Sequence, residues 1–425
     1  MPPLKGPRRT HEKPRDIGHL STKANPWPVL AIACVSLVLS MTTWFSATAV
    51  APELKAAWDL TDTQVAWLTN GVQIGFVTGA LLASLINLPD IVSLKRLMAA
   101  ASIGAAGANA VLLMEPGALG AILCRFATGA ALAAVYPPAM KLVSTWFSRN
   151  RGLALGAVVG ALTLGSAMPH LFRALTERID WHMVIALSSA APLLAALLFL
   201  LFAKEGPHPF GRAVFDPRQI GRVLRDRDLR LVNIGYFGHM WELYAMWAWL
   251  LIFIRSAAGQ ASPPILSSTL PSLITFIAVA AGLIGCVAAG VLSDRFGRTL
   301  TAAGFMVVSG LCALLIGFAF GGPLWLIALI SLVWGVAIVG DSPLFSAAVT
   351  ELSDRSLVGT ALSLQMGIGF ALTIFVIWLM PQIAGLLGGW QWSFAILAPG
   401  PLVGAWAMLK LRRSPAAIKL AGGRR

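Results

Sequence analysis

Residues 290–299 read Gly290-Val-Leu-Ser-Asp294-Arg295-Phe-Gly297-Arg298-Thr299, a charged turn between two long apolar runs at about 268–292 and 300–319. A bilayer core needs about 20 mostly apolar residues per helix. Each flanking run is long enough to cross, so the turn reads as a tight connection between two transmembrane helices. The same alternation continues outward in both directions. Ten further runs lie at about 28–51, 64–88, 97–114, 118–143, 152–171, 182–203, 231–254, 323–348, 357–380 and 390–411. The composition agrees: 57% of the 425 residues are hydrophobic and only 12% are charged, about half the charge of a water-soluble domain. The expected class is an all-α polytopic membrane protein with twelve transmembrane helices.

Twelve is even, so both termini fall on one side. With the amino terminus inside, 27 of the 32 Lys and Arg lie in interior segments, Lys55, Arg173, Arg178 and Arg255 lie outside, and Arg125 is left within a helix. This asymmetry places both termini in the cytoplasm by the positive-inside rule. The net charge of +14 therefore reports topology and contact with anionic lipid headgroups, and no nucleic-acid partner is expected. The basic tail 1–27 reads as retained, because the following apolar run is too long for a signal peptide and lacks a small-residue cleavage site. Cys34, Cys124, Cys286 and Cys312 sit singly in apolar runs, which indicates neither a disulfide framework nor a metal site. No cofactor is expected.

The longest interior connection, 204–230, divides the helices into an amino-terminal bundle, 28–203, and a carboxy-terminal bundle, 231–411, followed by a basic tail, 412–425. A shift of 206 positions matches Gly129 with Gly335, Pro137 with Pro343 and Arg149 with Arg355. The split and these matches favour two pseudo-symmetric six-helix bundles, the arrangement in which one half rocks against the other.

The stretch 290–299 resembles the G-x-x-x-D-R-x-G-R signature of the major facilitator superfamily. Gly290 would permit close helix packing, Gly297 a tight turn, and Asp294, Arg295 and Arg298 breakable pairs of a cytoplasmic gate. The first-half copy, NLPDIVSLKRL, keeps only Asp90, Lys95 and Arg96 of the charge pattern. Helix four, from Arg125 through Gly129 to Ala133, is similar to a second family signature, R-x-x-x-G-x-x-x-A. Helix five lacks the G-P-x-x-G-G ending of drug and proton antiporters, which lowers the multidrug-efflux reading. The stretch TWFSRNRGLALG, 145–156, resembles bacterial nitrate and cyanate porters most closely, but helix two offers only Asn70 and Gln73 where a nitrate porter carries an arginine. The resemblance implies a secondary transporter working by alternating access, and for Arg125 a proton-transfer or structural role.

A charge at the bilayer centre costs about 2.5–3.5 kcal/mol on insertion scales, so each needs a partner or a task. Arg125, Glu242 and Asp341 qualify. His239 and Glu242 are three apart and share a helical face. An acid and an imidazole in a partly dry cavity exchange a proton at moderate pH, which is what coupling to a proton gradient requires. The competing reading is a static pair of Glu242 with His239 or Arg125. Arg125, with Tyr136 three turns on, would line a cavity that attracts an anion. Asp341 precedes Ser342-Pro343, where the helix should loosen. His170 is expected at the water interface. Trp44, Trp241, Trp334 and Tyr244 join Asn70, Gln73 and Tyr136 as cavity candidates, while most of the other tryptophans flank spans as interfacial anchors.

The expected function is proton-coupled movement of a small organic solute, an organic anion, by a monomer in the cell (inner) membrane. The alternative is a proton-driven exporter of a neutral or cationic compound. A membrane enzyme or a transport-dead sensor is the reading from another class; the sequence has no H-E-x-x-H, G-x-S-x-G or phosphate-binding loop.

Overall fold

The computed structural model describes residues 25–147, 151–176, 180–208, 217–265, 267–354 and 357–425, without the side chains of residues 151 and 217. Arg149, Arg178, Arg355 and the tail before residue 25, all used in the charge and repeat arguments, lie outside them. Among the described residues the chain forms twelve principal helices and no strand. They are α1 (Trp27–Met41), α2 (Asp62–Leu85), α3 (Leu94–Met114), α4 (Gly117–Ser144), α5 (Gly152–Leu175), α6 (Trp181–Phe202), α7 (Arg227–Gly259), α8 (Thr269–Phe296), α9 (Arg298–Ala319), α10 (Leu324–Leu352), α11 (Val358–Leu386) and α12 (Ser393–Arg412). All but α1 are long and apolar enough to cross a membrane. Helices α1–α6 form one bundle and α7–α12 the other, with α2 packed on α11 and α5 on α8 across the seam between them.

Several helix ends follow from local chemistry. A reciprocal capping box starts α2, with Gln64 N donating to Thr61 Oγ1 and Thr61 N to Gln64 Oε1. The carboxylate of Asp226 accepts from the backbone N–H groups of Asp228 and Leu229, so α7 begins about a turn before its apolar run. α7 is also the most enclosed of the long helices.

The expected continuous first span at 28–51 is corrected. α1 stops at Met41, and short helices follow at Ser46–Ala49 and Ala51–Ala57. The hydroxyls of Thr42, Thr43 and Ser46 each donate to the carbonyl three residues earlier, offering the backbone an alternative to helix. The carbonyls freed at 43 and 44 are taken by Arg125. α4 and α10 are also broken: α4 between Leu132 and Tyr136, ahead of Pro137-Pro138, and α10 at Asp341, ahead of Pro343. Proline lacks the donor that would continue the helix.

The two breaks, at positions related by the 206-residue shift, belong to a repeat that the helix packing also obeys. A Cβ on Gly129 would lie 2.0 Å from Val72 O, and one on Gly335 would lie 1.8 Å from Ala278 O. Likewise Gly79 faces Ala130 O at 2.6 Å and Gly285 faces Val336 O at 2.0 Å. In each pairing both residues move by the same 206 positions. The α2–α4 contact of one half is thus repeated as the α8–α10 contact of the other, and the bundles are pseudo-symmetric.

The α2–α3 and α8–α9 turns share one end of the molecule with the central connection and the carboxy-terminal tail; it is termed here the basic end. Gly297 adopts φ +86°, which confirms the tight turn expected there. Gly290 is corrected: a Cβ at that position meets nothing within 4 Å, and close approach on α8 is made by Gly282 and Gly285 instead. The tail returns across this end, burying Ala417 and Leu420 and placing the carbonyls of Arg424 and Arg425 against Gly297.

Candidate functional site

In the amino-terminal half the break in α1 exists around Arg125. Its Nη1 donates to Thr43 O at 2.7 Å, Ser46 Oγ at 3.1 Å and Asn109 Oδ1 at 2.8 Å, its Nε to Leu68 O at 3.4 Å, and its Nη2 to Trp44 O. Asn109 in turn donates to Ser189 on α6 at 2.8 Å. One guanidinium thereby ties α4 to α2, α3 and the segment that follows α1. The side chain is wholly buried, and every one of these partners is uncharged, so its positive charge is solvated by dipoles and not neutralised.

In the carboxy-terminal half two carboxylates lie where α7 meets its neighbours, Glu242 on α7 itself and Asp341 on α10. Glu242 accepts from Trp334 Nε1 on α10 at 2.6 Å and from Ser309 Oγ on α9 at 2.9 Å. Asp341, at the α10 break, places Oδ1 2.8 Å from His239 Nδ1. All three ionisable side chains are buried. The static pairs considered for Glu242, with His239 or with Arg125, do not form: His239 takes Asp341, and Arg125 is committed to the segment that follows α1. The shared face of His239 and Glu242 does hold, since both reach α10. Among the described residues His239 Nε2 has no hydrogen-bond partner.

Between these groups runs an aromatic seam. Trp44 lies nearly parallel to Tyr244 across it, with ring centroids 6.0 Å apart and planes 22° apart. Phe76 on α2 touches both Trp44, at 4.9 Å, and Phe370 on α11, at 5.2 Å. The chain has only three tyrosines; Tyr136, Tyr236 and Tyr244 lie within electrostatic reach of one another. Tyr236, which packs on Phe345 and His239, was missed by sequence reasoning, although the scarcity of tyrosine was a visible signal. Asn70 spans the seam by donating to Ile374 O at 3.0 Å. Gln73, one turn later, is wholly buried, and among the described residues neither amide atom has a partner. Trp241 lies away from this group, donating to Ile396 O at 3.0 Å and stacking near Phe375.

At the end opposite the basic loops, Glu53 Oε1 receives Arg173 Nη2 at 2.9 Å and Arg255 Nη1 at 3.0 Å. Arg173 belongs to α5 and Arg255 to α7, so one carboxylate joins the halves. Gln382 on α11 adds a bond to Thr63 on α2 at 3.3 Å. This trio was also missed; the one visible signal was how few basic residues that end carries. The expectation that His170 lies at the water interface is corrected: it is 1% exposed, because the Ser46–Ala49 segment after α1 folds back onto α5.

At the basic end the ion pairs are not the ones the loop pattern suggested. The side chain of Asp294 is exposed, and its backbone carbonyl accepts from Arg424. Arg298 instead grips Glu351 at the end of α10 through Nε, 2.9 and 3.0 Å, and Nη2, 2.6 Å. In the first half Asp90 pairs with Lys141 at the end of α4 at 2.5 Å. Each half therefore clips its hairpin turn to its broken helix, with the charges exchanged between the halves. Arg295 is exposed beside Phe296.

The model of the family described as Major Facilitator Superfamily matches residues 32–282, and that of Sugar (and other) transporter matches residues 232–418. The chain is 23% identical to the 4-hydroxybenzoate transporter PcaK of Acinetobacter baylyi, over 82% of each protein. It is 24% identical to a probable sulfoacetate transporter, SauU, of Cupriavidus necator, over 41% of this chain and 43% of that one. A crystal structure of a D-xylose-proton symporter shares the fold with TM-score 0.73 at 14% identity, covering 92% of this chain and 99% of the other.

Proposed function

Since the chain belongs to the Major Facilitator Superfamily of membrane transporters, we propose that it carries a small organic anion together with a proton, by alternating access between its two six-helix halves. One observation carries this reading: the buried charges are divided across the seam. Arg125 stands in one half with no carboxylate partner, while Glu242 and the His239–Asp341 pair stand in the other.

The division has an electrostatic consequence. In a low-dielectric interior an uncompensated charge is costly, so the favoured occupancy states are those in which the interior stays neutral. With the His239–Asp341 pair neutral overall, the empty carrier balances Arg125 against an ionised Glu242. A monoanion entering alone would upset that balance, and a proton taken up by Glu242 restores it. Loaded and empty states are then both neutral, and these are the two states that can reorient. A cationic cargo gains nothing from this arrangement. Two relatives support the reading, because the solutes they are named for, 4-hydroxybenzoate and sulfoacetate, are organic acids.

The positive-inside count assigns the basic end to the cytoplasm of the cell membrane. The contacts of Glu53 with Arg255 and of Gln382 with Thr63 then close the external side. The functional unit in this reading is the monomer, since each half supplies what the other lacks. The test is direct: in proteoliposomes loaded with a pH-sensitive dye, external addition of a carried carboxylate acidifies the lumen. Anion uptake without lumenal acidification contradicts the proposal.

A further inference from the structure

The seam offers more than a path. Resting on the transport reading above, we infer that the substrate is a planar aromatic monocarboxylate, its ring held between Trp44 and Tyr244 and a polar ring substituent bound by the Gln73 amide.

Tyr244 of one half lies nearly parallel to two rings of the other, Trp44 with centroids 6.0 Å away and Phe45 with centroids 6.5 Å away, and Trp44 is the nearer. Parallel walls that accept a ring need a spacing of about 7 Å, two contact distances of about 3.5 Å. The two rings are stacked here, and a relative movement of the halves would separate them to that spacing. An aliphatic chain would fill the same gap poorly, because it lacks the flat face that offset stacking uses.

Gln73 supplies the polar end. It falls three residues after Asn70, which bonds α11, and three before Phe76, which touches both Trp44 and Phe370. Its side chain thus belongs to the α2 face that meets the seam. Among the described residues both amide atoms are buried and unpartnered, as are the indole nitrogens of Trp44 and Trp247 nearby. Buried donors and acceptors are ordinarily satisfied, so a cluster of orphans beside a ring slot points to a ligand that satisfies them. The charge is set by Arg125, which holds the carbonyls of Thr43 and Trp44 and so stands directly behind the Trp44 wall. It favours an anionic ring over a cationic one.

The full-length protein in proteoliposomes tests this by counterflow with four probes: benzoate, a hydroxybenzoate, cyclohexanecarboxylate and acetate. The inference expects benzoate and hydroxybenzoate to exchange, with cyclohexanecarboxylate, of equal size but not planar, at least about tenfold weaker; a site with buried polar groups rejects what leaves them unpaired. Gln73→Leu should abolish the preference for hydroxybenzoate over benzoate, and Trp44→Leu, which removes one wall, should bring benzoate exchange down toward that of cyclohexanecarboxylate. Equal exchange of cyclohexanecarboxylate and benzoate overturns the slot, and so does exchange of acetate alone, while both leave anion transport standing. Exchange of no carboxylate overturns the transport reading and the slot with it. The wild-type series decides the matter even if a variant fails to fold.

Discussion

Glu53 and Arg255 bind the two halves of the molecule to each other, with Glu53 Oε1 3.0 Å from Arg255 Nη1 and the same oxygen also held by Arg173. The carboxylate is donated by the short helix after α1, and Arg255 stands in the last turns of α7. Opening that end requires this pair to separate, whereas the Arg173 contact lies within one half and can persist. The pair is partly exposed, so its strength is modest, about 1 kcal/mol or less for an exposed bridge. That is small enough to be broken in every cycle. Glu53→Gln should therefore shift the carrier toward its externally open form. A cysteine placed at Thr63, beside the Gln382 contact, should react several-fold faster with a membrane-impermeant thiol reagent in the Glu53→Gln background. An unchanged rate means that the pair does not hold that end shut.

Arg125 is predicted to be a structural keystone as well as a charge. Replacing it by Leu removes the side-chain donor of the buried Trp44 carbonyl and one of the two donors on Thr43 O, which Ser46 also reaches, and a buried orphan costs about 1–3 kcal/mol. Arg125→Leu should lower the melting temperature in detergent clearly. Arg125→Lys keeps the charge but cannot reach all five acceptors, so its loss should be intermediate. A Leu variant as stable as wild type removes the keystone role.

The glycines divide sharply. Gly129→Val and Gly335→Val place atoms about 2 Å from a neighbouring carbonyl oxygen, and overpacking of this kind costs about 1–3 kcal/mol or more. Both should lower folded yield and melting temperature. Gly290→Ala faces open space and should change neither. Equal behaviour of all three would contradict the repeat packing described above.

At the basic end, the bidentate Arg298–Glu351 pair is predicted to set the rate of conformational cycling. Arg298→Glu should slow counterflow several-fold through like-charge repulsion. The double exchange of Arg298→Glu with Glu351→Arg should restore most of it. If the double variant is no better than the single one, the pair has no role in gating.

The span count, the division into six and six helices and the 206-residue repeat were legible because hydropathy and glycine spacing record lipid contact and close backbone approach directly. The break at Asp341 was legible too, through Pro343. The break in α1 was hidden, because an apolar run containing Thr42, Thr43 and Ser46 looks continuous until the distant Arg125 is known to claim its carbonyls. The partners of the charges were hidden for the same reason. His239 could be placed on a face with Glu242, but only the fold brings Asp341, about a hundred residues later, to its imidazole. At the basic end, the Asp294 pattern located the turn, while the pair that clips it uses Glu351, whose position in sequence carries no such signature.

Glu242 is the residue on which proton coupling depends in the proposed cycle. In the wild-type protein an inwardly directed pH gradient should drive accumulation of a carried aromatic carboxylate above its external concentration in proteoliposomes. Glu242→Gln fixes that position in a neutral form whose amide oxygen can still accept from Trp334 while its NH2 donates to Ser309 Oγ. It should abolish gradient-driven accumulation while leaving substrate-for-substrate exchange at a rate within a few-fold of wild type. Full accumulation by Glu242→Gln, with its response to the pH gradient intact, would contradict the assignment of proton coupling to this residue.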